Sequence, residues 1–258
     1  MSGGTNIVAL RDAAGGGADP AGALARAAGL SAHEARARLY GTGPRVISVH
    51  ADRAQAEAAV ARLTAGGFDA LVLFAEDQER DRVETANARS FELMPGAFRV
   101  QARDGHTVDL EYGAIRLMVR GLTIAQSLHT ETTVVRKMSV PLALVSGGVM
   151  LTKKSERTTT TVEEERTLFL RLFTPGSPPV NVGETEVQYQ GLGKALQPTR
   201  SGNFVALQRE LRSRARGVAV DDRLATRAGQ IQVLSELLPL QEYVEAAVSL
   251  VARAHGVR

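Results

Sequence analysis

Between Asn6 and Phe74 the chain carries three helix-start signals set among three short apolar runs, and each helix-start has a glycine stop behind it. Asp19-Pro20 opens the first. Aspartate is a good N-cap, and proline at the first helical position loses an N–H that has no partner there. Gly29 closes that helix. Ser31-Ala-His-Glu34 reads as a capping box, with the Ser31 hydroxyl accepting from the Glu34 N–H and the Glu34 carboxylate reaching back to the Ser31 N–H. That predicts a second helix to about Tyr40, ended by Gly41. Asp52 starts a third, with Ala56, Val60 and Leu63 on one face, and Gly66-Gly67 stops it. The runs Ile7–Leu10, Val46–Val49 and Phe68–Phe74 read as strands. The order is strand–helix–helix–strand–helix–strand.

This order, together with Gly29-Leu-Ser-x-x-Glu-Ala-Arg-x-x-Leu39 and the alanine-rich stretch Asp52–Leu73, resembles the C-terminal domain of the bacterial ribosomal stalk protein. The Clp protease adaptor that reads N-terminal degrons has a similar fold. The resemblance covers residues 5–75 and implies the fold. In the stalk family lysine-rich helix surfaces meet translation factors. The nearest equivalents here are Arg36 and Arg38, with His33 where a lysine is usual, so ribosome binding is not carried over.

After the third strand, Glu76–Arg82 is dense in charge and lacks apolar periodicity, which predicts a solvated linker reaching to about Ser90. From Phe91 the period becomes two. Phe98, Val100 and Ala102 alternate with polar residues up to Asp104-Gly105, and Val108, Leu110 and Tyr112 alternate after it. That is a hairpin signal. Ala114–Val119, Gly121–Gln126, Thr130–Val135, Thr158–Val162, Thr167–Phe173, Val180–Val182 and Thr185–Tyr189 read as further strands. Ser201-Gly-Asn203 precedes a helix with Phe204, Leu207 and Leu211 on one face. This succession over 91–216 resembles a pleckstrin-homology-like barrel in element order. The tail, Ile231–Leu238 and Leu240–Ala254, reads as amphipathic helix. The expectation is an α+β chain: a small β-α-α-β-α-β module over 1–78, a linker over 79–90, and a mostly antiparallel, barrel-like β domain with C-terminal helices over 91–258.

Composition narrows function by exclusion. There are no cysteines and no tryptophan, which removes disulfides, thiolate metal sites and cysteine nucleophiles. The net charge of +3 is spread thinly, −1 over residues 1–90 and +4 over the rest, so nucleic-acid binding is not expected. No apolar run reaches the roughly 18 residues of a membrane span. Met1-Ser-Gly-Gly-Thr5 carries no secretory signal, and the cytoplasm is the expected compartment. The abundance of alanine, arginine and glycine suggests a bacterial source.

Catalytic motifs are not apparent. Gly15-Gly-Gly17 lacks the Gly-Lys-Ser/Thr ending of a phosphate loop. His33, His50, His106, His129 and His255 show no metal-ligand spacing, and Ser146 and Ser201 are not in nucleophile elbows. No catalytic residue, cofactor or metal is expected. The leading expectation is a non-enzymatic protein-binding or scaffold protein, its partner another protein or a second copy of itself. The partner-binding candidates are Arg36 and Arg38, and Leu142, Leu144, Val145, Lys153 and Lys154 in and beside the apolar segment 138–151. The alternatives are an anionic-lipid-binding peripheral protein, using Lys153, Lys154 and Arg157, and an enzyme with an unrecognised site.

Overall fold

The computed structural model describes residues 5–138 and 152–257, with side chains described outside 13, 125–138, 152–165 and 241. The chain divides into two compact units, Met1–Thr123 with Thr167–Arg258, and Ile124–Arg166.

The first unit begins with β1 (Asn6–Gly15), α1 (Pro20–Ala28), α2 (Ala32–Arg38), β2 (Arg45–His50), α3 (Arg53–Ala65) and β3 (Phe68–Leu73). These elements follow the expected order. The caps are in place: Asp19 accepts from the Gly22 N–H, Asp52 from Ala54 and Gln55, and both halves of the Ser31–Glu34 capping box are formed. The three strands make an antiparallel sheet in the order β2-β1-β3, with Ile7 opposite Val49 and Leu73. The central strand β1 is apolar on both faces because both are covered, as the unbroken run Ile7–Leu10 requires. Val8 and Leu10 pack with Leu24, Ala56 and Leu63 of α1 and α3. Ile7 and Ala9 point the other way, into a core shared with the C-terminal helix.

The stretch 79–90 is not a linker. It holds most of α4 (Ala75–Glu84) and the start of β4 (Ala86–Leu93). Helix α4 lacks an apolar stripe because it docks through hydrogen bonds. Gln78 Nε2 donates to the Thr5 carbonyl at 2.7 Å, and Asp77 and Asp81 accept from the C-terminal helix.

The larger sheet adds β5 (Ala97–Ala102), β6 (Thr107–Glu111), β7 (Leu117–Met138), β8 (Thr152–Phe173), β9 (Val180–Gly183) and β10 (Ala219–Asp221). It is open, in the order β10-β7-β8-β9-β4-β5-β6. The β4–β5, β5–β6 and β8–β9 pairs are antiparallel, while β10–β7 and β4–β9 are parallel. The Asp104-Gly105 hairpin joins β5 to β6 as expected. Thr185–Tyr189 forms no strand, only a single bridge from Gln188 to Ser90. Helix α5 (Arg200–Arg214) lies across the sheet. Its Phe204, Leu207 and Leu211 pack with Phe91, Phe98, Leu110, Leu172 and Val182. Its cap is Thr199, which accepts from the Gly202 N–H, so Ser201 and Asn203 lie inside the helix.

Two helices close the chain, α6 (Arg227–Leu234) and α7 (Leu240–Ala254). Val244, Ala247, Val248 and Val251 of α7 share one core with Ile7, Ala9 and Leu73 of the small sheet and with Leu117, Val119, Phe169 and Phe173 of the large one. The fold class is α+β, with the small sheet first, the larger mostly antiparallel sheet second, and helices at the end.

In its described residues the second unit consists of 124–138 of β7 and 152–166 of β8, neighbouring strands in the sheet order. The Thr130–Val135 and Thr158–Val162 expectations fall on these strands.

A polar cleft between helices α2 and α6

Helix α2 is short, and the turn behind it is shaped by glycine. Leu39 caps the helix, and the chain turns through Tyr40–Gly43 before β2 begins at Arg45. Gly41 has φ +93, a backbone angle that L side chains rarely adopt, and a Cβ there would stand 1.9 Å from Gln232 Nε2, so a side chain would strain the backbone and have to push the Gln232 carboxamide aside. Gln232 lies on α6 and donates to the Tyr40 carbonyl at 3.4 Å. Helix α6 is anchored from beneath. Gln230 is fully buried and donates to the carbonyls of Leu122 and Leu224, while Val233 and Leu234 enter the shared core.

An open cleft of about 580 Å³ lies between these elements. His33, Glu34, Ala37, Arg38, Tyr40 and Arg45 line one side, and Ala228, Ile231, Gln232, Ser235 and Glu236 line the other. Tyr40 is 82% exposed and Ile231 44%, which leaves two large apolar surfaces at its margin. Ser235 has φ +55, and among the described residues it is the one non-glycine with positive φ.

Two arginines set the electrostatics. Arg38 is half-buried and donates to the Ile47 carbonyl. Arg45 is 3% exposed, and its Nη1 donates to the Ala37 carbonyl at 3.3 Å. Among the described residues, neither Nε nor Nη2 of Arg45 has a hydrogen-bond acceptor. Burial pulls both guanidinium groups below the usual arginine range. The fields of Glu34 and Glu236 oppose this at Arg38, and that of Asp12 opposes it at Arg45. Glu34 is held below the usual carboxylate range, first by the Ser31 hydrogen bonds.

Of the residues expected to meet a partner, Arg38 lines the cleft and Arg36 is exposed on the same helix outside it. Leu142, Leu144 and Val145 lie outside the described residues. Lys153 and Lys154 are in β8, and their side chains are not described. The structure adds Arg45, Tyr40, Ile231, Gln232 and Glu236. Arg45 had a local signal, as a charged residue at the head of the apolar run Val46–Val49.

No family model, curated protein or solved structure matches the chain. Among the described residues no group of three histidine, aspartate or glutamate side chains is placed to hold a metal, and no helix is long and apolar enough to cross a membrane.

Proposed function

We propose that the chain is a non-enzymatic binding or scaffold protein whose partner, another protein or a second copy, seats in the α2–α6 cleft. One observation carries this reading: Arg45 is buried against an open cleft, and among the described residues one edge of its guanidinium has no acceptor. Native structures pair nearly all buried polar groups, and an exception calls for a reason. Tyr40 and Ile231 beside it offer the aromatic and aliphatic anchors on which protein contacts rest.

Three of the cleft's charged groups are tied to backbone. Glu34 accepts from the Ser31 N–H, Arg38 donates to the Ile47 carbonyl, and Arg45 donates to the Ala37 carbonyl. Proton-transfer chemistry needs side chains poised on one another, so this arrangement supports recognition. The enzyme alternative would rest on Ser48 Oγ and His50 Nε2, 2.8 Å apart on β2, a pair with no orienting acid among the described residues. The lipid alternative rests on Lys153, Lys154 and Arg157 and is tested by flotation with anionic vesicles. The compartment we propose, from the sequence, is the cytoplasm. The resemblances to the stalk-protein C-terminal domain and to the pleckstrin-homology-like barrel enter as proposals on fold, and both are folds that present surfaces to other molecules.

The test is paired capture from the native cell with the wild-type chain and with Ile231→Asp, followed by mass spectrometry and rebinding of the purified partner. The reading expects Ile231→Asp to weaken the rebuilt complex at least about tenfold. Equal affinity of the folded variant would remove the cleft as the partner site.

A further inference from the structure

Arg45 defines what part of a partner fits the cleft. A guanidinium has five N–H groups in a rigid fork. In Arg45 the Nη1 side is spent on Ala37, and among the described residues Nε and Nη2 have no acceptor. Those two N–H groups lie on one edge and point the same way, at the spacing of the two oxygens of a carboxylate. Leaving such an edge buried and unpaired is costly, and one bidentate oxyanion satisfies it at once.

We propose that the α2–α6 cleft binds a carboxylate borne by a protein partner, received side-on by Nε and Nη2 of Arg45 and flanked by Arg38. This rests on the cleft being the partner site and names the group that the partner inserts. The donor count selects a carboxylate over a phosphate. A carboxylate's two oxygens are matched by the Nε–Nη2 edge, whereas the further oxygens of a phosphate need donors of their own in a lining that also holds Glu34 and Glu236, which as carboxylates donate none. The neighbouring lining selects what carries the carboxylate. Ala37, Tyr40 and Ile231 accept an apolar group beside the acid, either the last side chain of a C-terminus or a residue next to an internal Asp or Glu. Gln232 is held to Tyr40 by only a long 3.4 Å hydrogen bond, and its carboxamide gives way to admit the acid. Asp12, whose field already acts on Arg45, is the internal competitor.

The test is titration of the full ¹⁵N-labelled chain, following the Arg45 Nε–Hε resonance. The probes are N-acetyl-leucine for a C-terminus, N-acetyl-glutamate α-amide for an acidic side chain, N-acetyl-leucinamide as the neutral control, and inorganic phosphate. The proposal expects one of the two carboxylates to move the Arg45 resonance at least about tenfold more tightly than phosphate. The better of the two tells which source the cleft prefers. N-acetyl-leucinamide should leave the resonance in place, and Asp12→Asn should tighten carboxylate binding. No movement with either carboxylate, equal movement with leucinamide, or equal affinity for phosphate would overturn the proposal. These measurements use the wild-type chain, so they do not depend on an Arg45 variant folding. If they fail while Ile231→Asp still releases the partner, the protein-binding reading stands and the carboxylate falls. If a carboxylate binds but no partner depends on Ile231, the cleft takes a small acid and the partner reading falls.

Discussion

The hydroxyl of Ser249 donates to Asp81 Oδ2 at 2.7 Å, joining the last helix of the chain to a residue 168 positions earlier. Asp81 sits in the middle of the charged run 76–84, and it is buried. Arg253, one turn further along α7, donates to Asp77, one turn back along α4, at 3.0 Å. Helix α4 is therefore fastened to α7 by a pair of side-chain bonds between charged and polar groups.

Ser249→Ala leaves the Asp81 carboxylate short of a buried donor, so it should lower unfolding stability by about 2 kcal/mol, the scale of a lost hydrogen bond to a charged group. Denaturant unfolding measures this. The same fastening should protect 79–90 in limited trypsin digestion of the wild-type chain. A first cut at Arg80, Arg82 or Arg89 would show that α4 is loose.

Asp221 makes the acid limb of stability measurable. Burial pushes its pKa up, but the hydrogen bonds from Arg223 and His255 outweigh that, and the carboxyl sits below its ordinary value of 3.8. A carboxylate depressed on folding binds protons more readily in the unfolded chain. Its stabilisation is therefore present well above pH 3.8 and is lost as the pH falls through the lower folded value. Asp221→Asn should melt below the wild type at neutral pH and converge with it as the pH falls through the lowered folded value of the Asp221 carboxyl. A constant difference across that range would count against it.

Ser31→Ala removes one half of the capping box and should destabilise the chain by about 1 kcal/mol. Glu34 then loses the hydroxyl that lowers its pKa most, so its carboxyl should titrate higher, a shift visible by side-chain NMR. An unchanged Glu34 titration would show that the box is not formed in solution.

Gly121 faces Phe169 across β7 and β8. A Cβ there would lie 2.0 Å from the Phe169 ring, which is packed in the shared core. Gly121→Ala should cost about 1–3 kcal/mol by overpacking. A neutral effect in thermal melts would mean that the ring has room to move.

The parts of the fold that were legible in the sequence are those stabilised within three or four residues. Asp19, Ser31 and Asp52 each cap the helix they precede, and the Asp104-Gly105 turn lies between two alternating runs. Helix α4 was not legible because its partners are Thr5, Ser249 and Arg253, and a helix docked by hydrogen bonds has no apolar period. The Thr185–Tyr189 segment alternates like a strand because Val187 and Tyr189 are buried against the larger sheet's core, but only Gln188 bridges to β4. The cleft was half legible. Arg38 was singled out on α2, but the wall that completes the site comes from α6, roughly 190 residues later, and no local pattern joins Tyr40 to Gln232. Arg45 belongs to the same case, since its meaning lies in the acceptors that it lacks.

We place the proposed partner in the α2–α6 cleft. Hydrogen–deuterium exchange of the full chain, with and without the captured partner, tests it most directly. The account predicts slowed exchange in 33–47 and 228–237 on binding, with the rest of the chain unchanged. Protection confined to 138–154, with those two segments unaffected, would contradict it and move the interaction to the apolar segment.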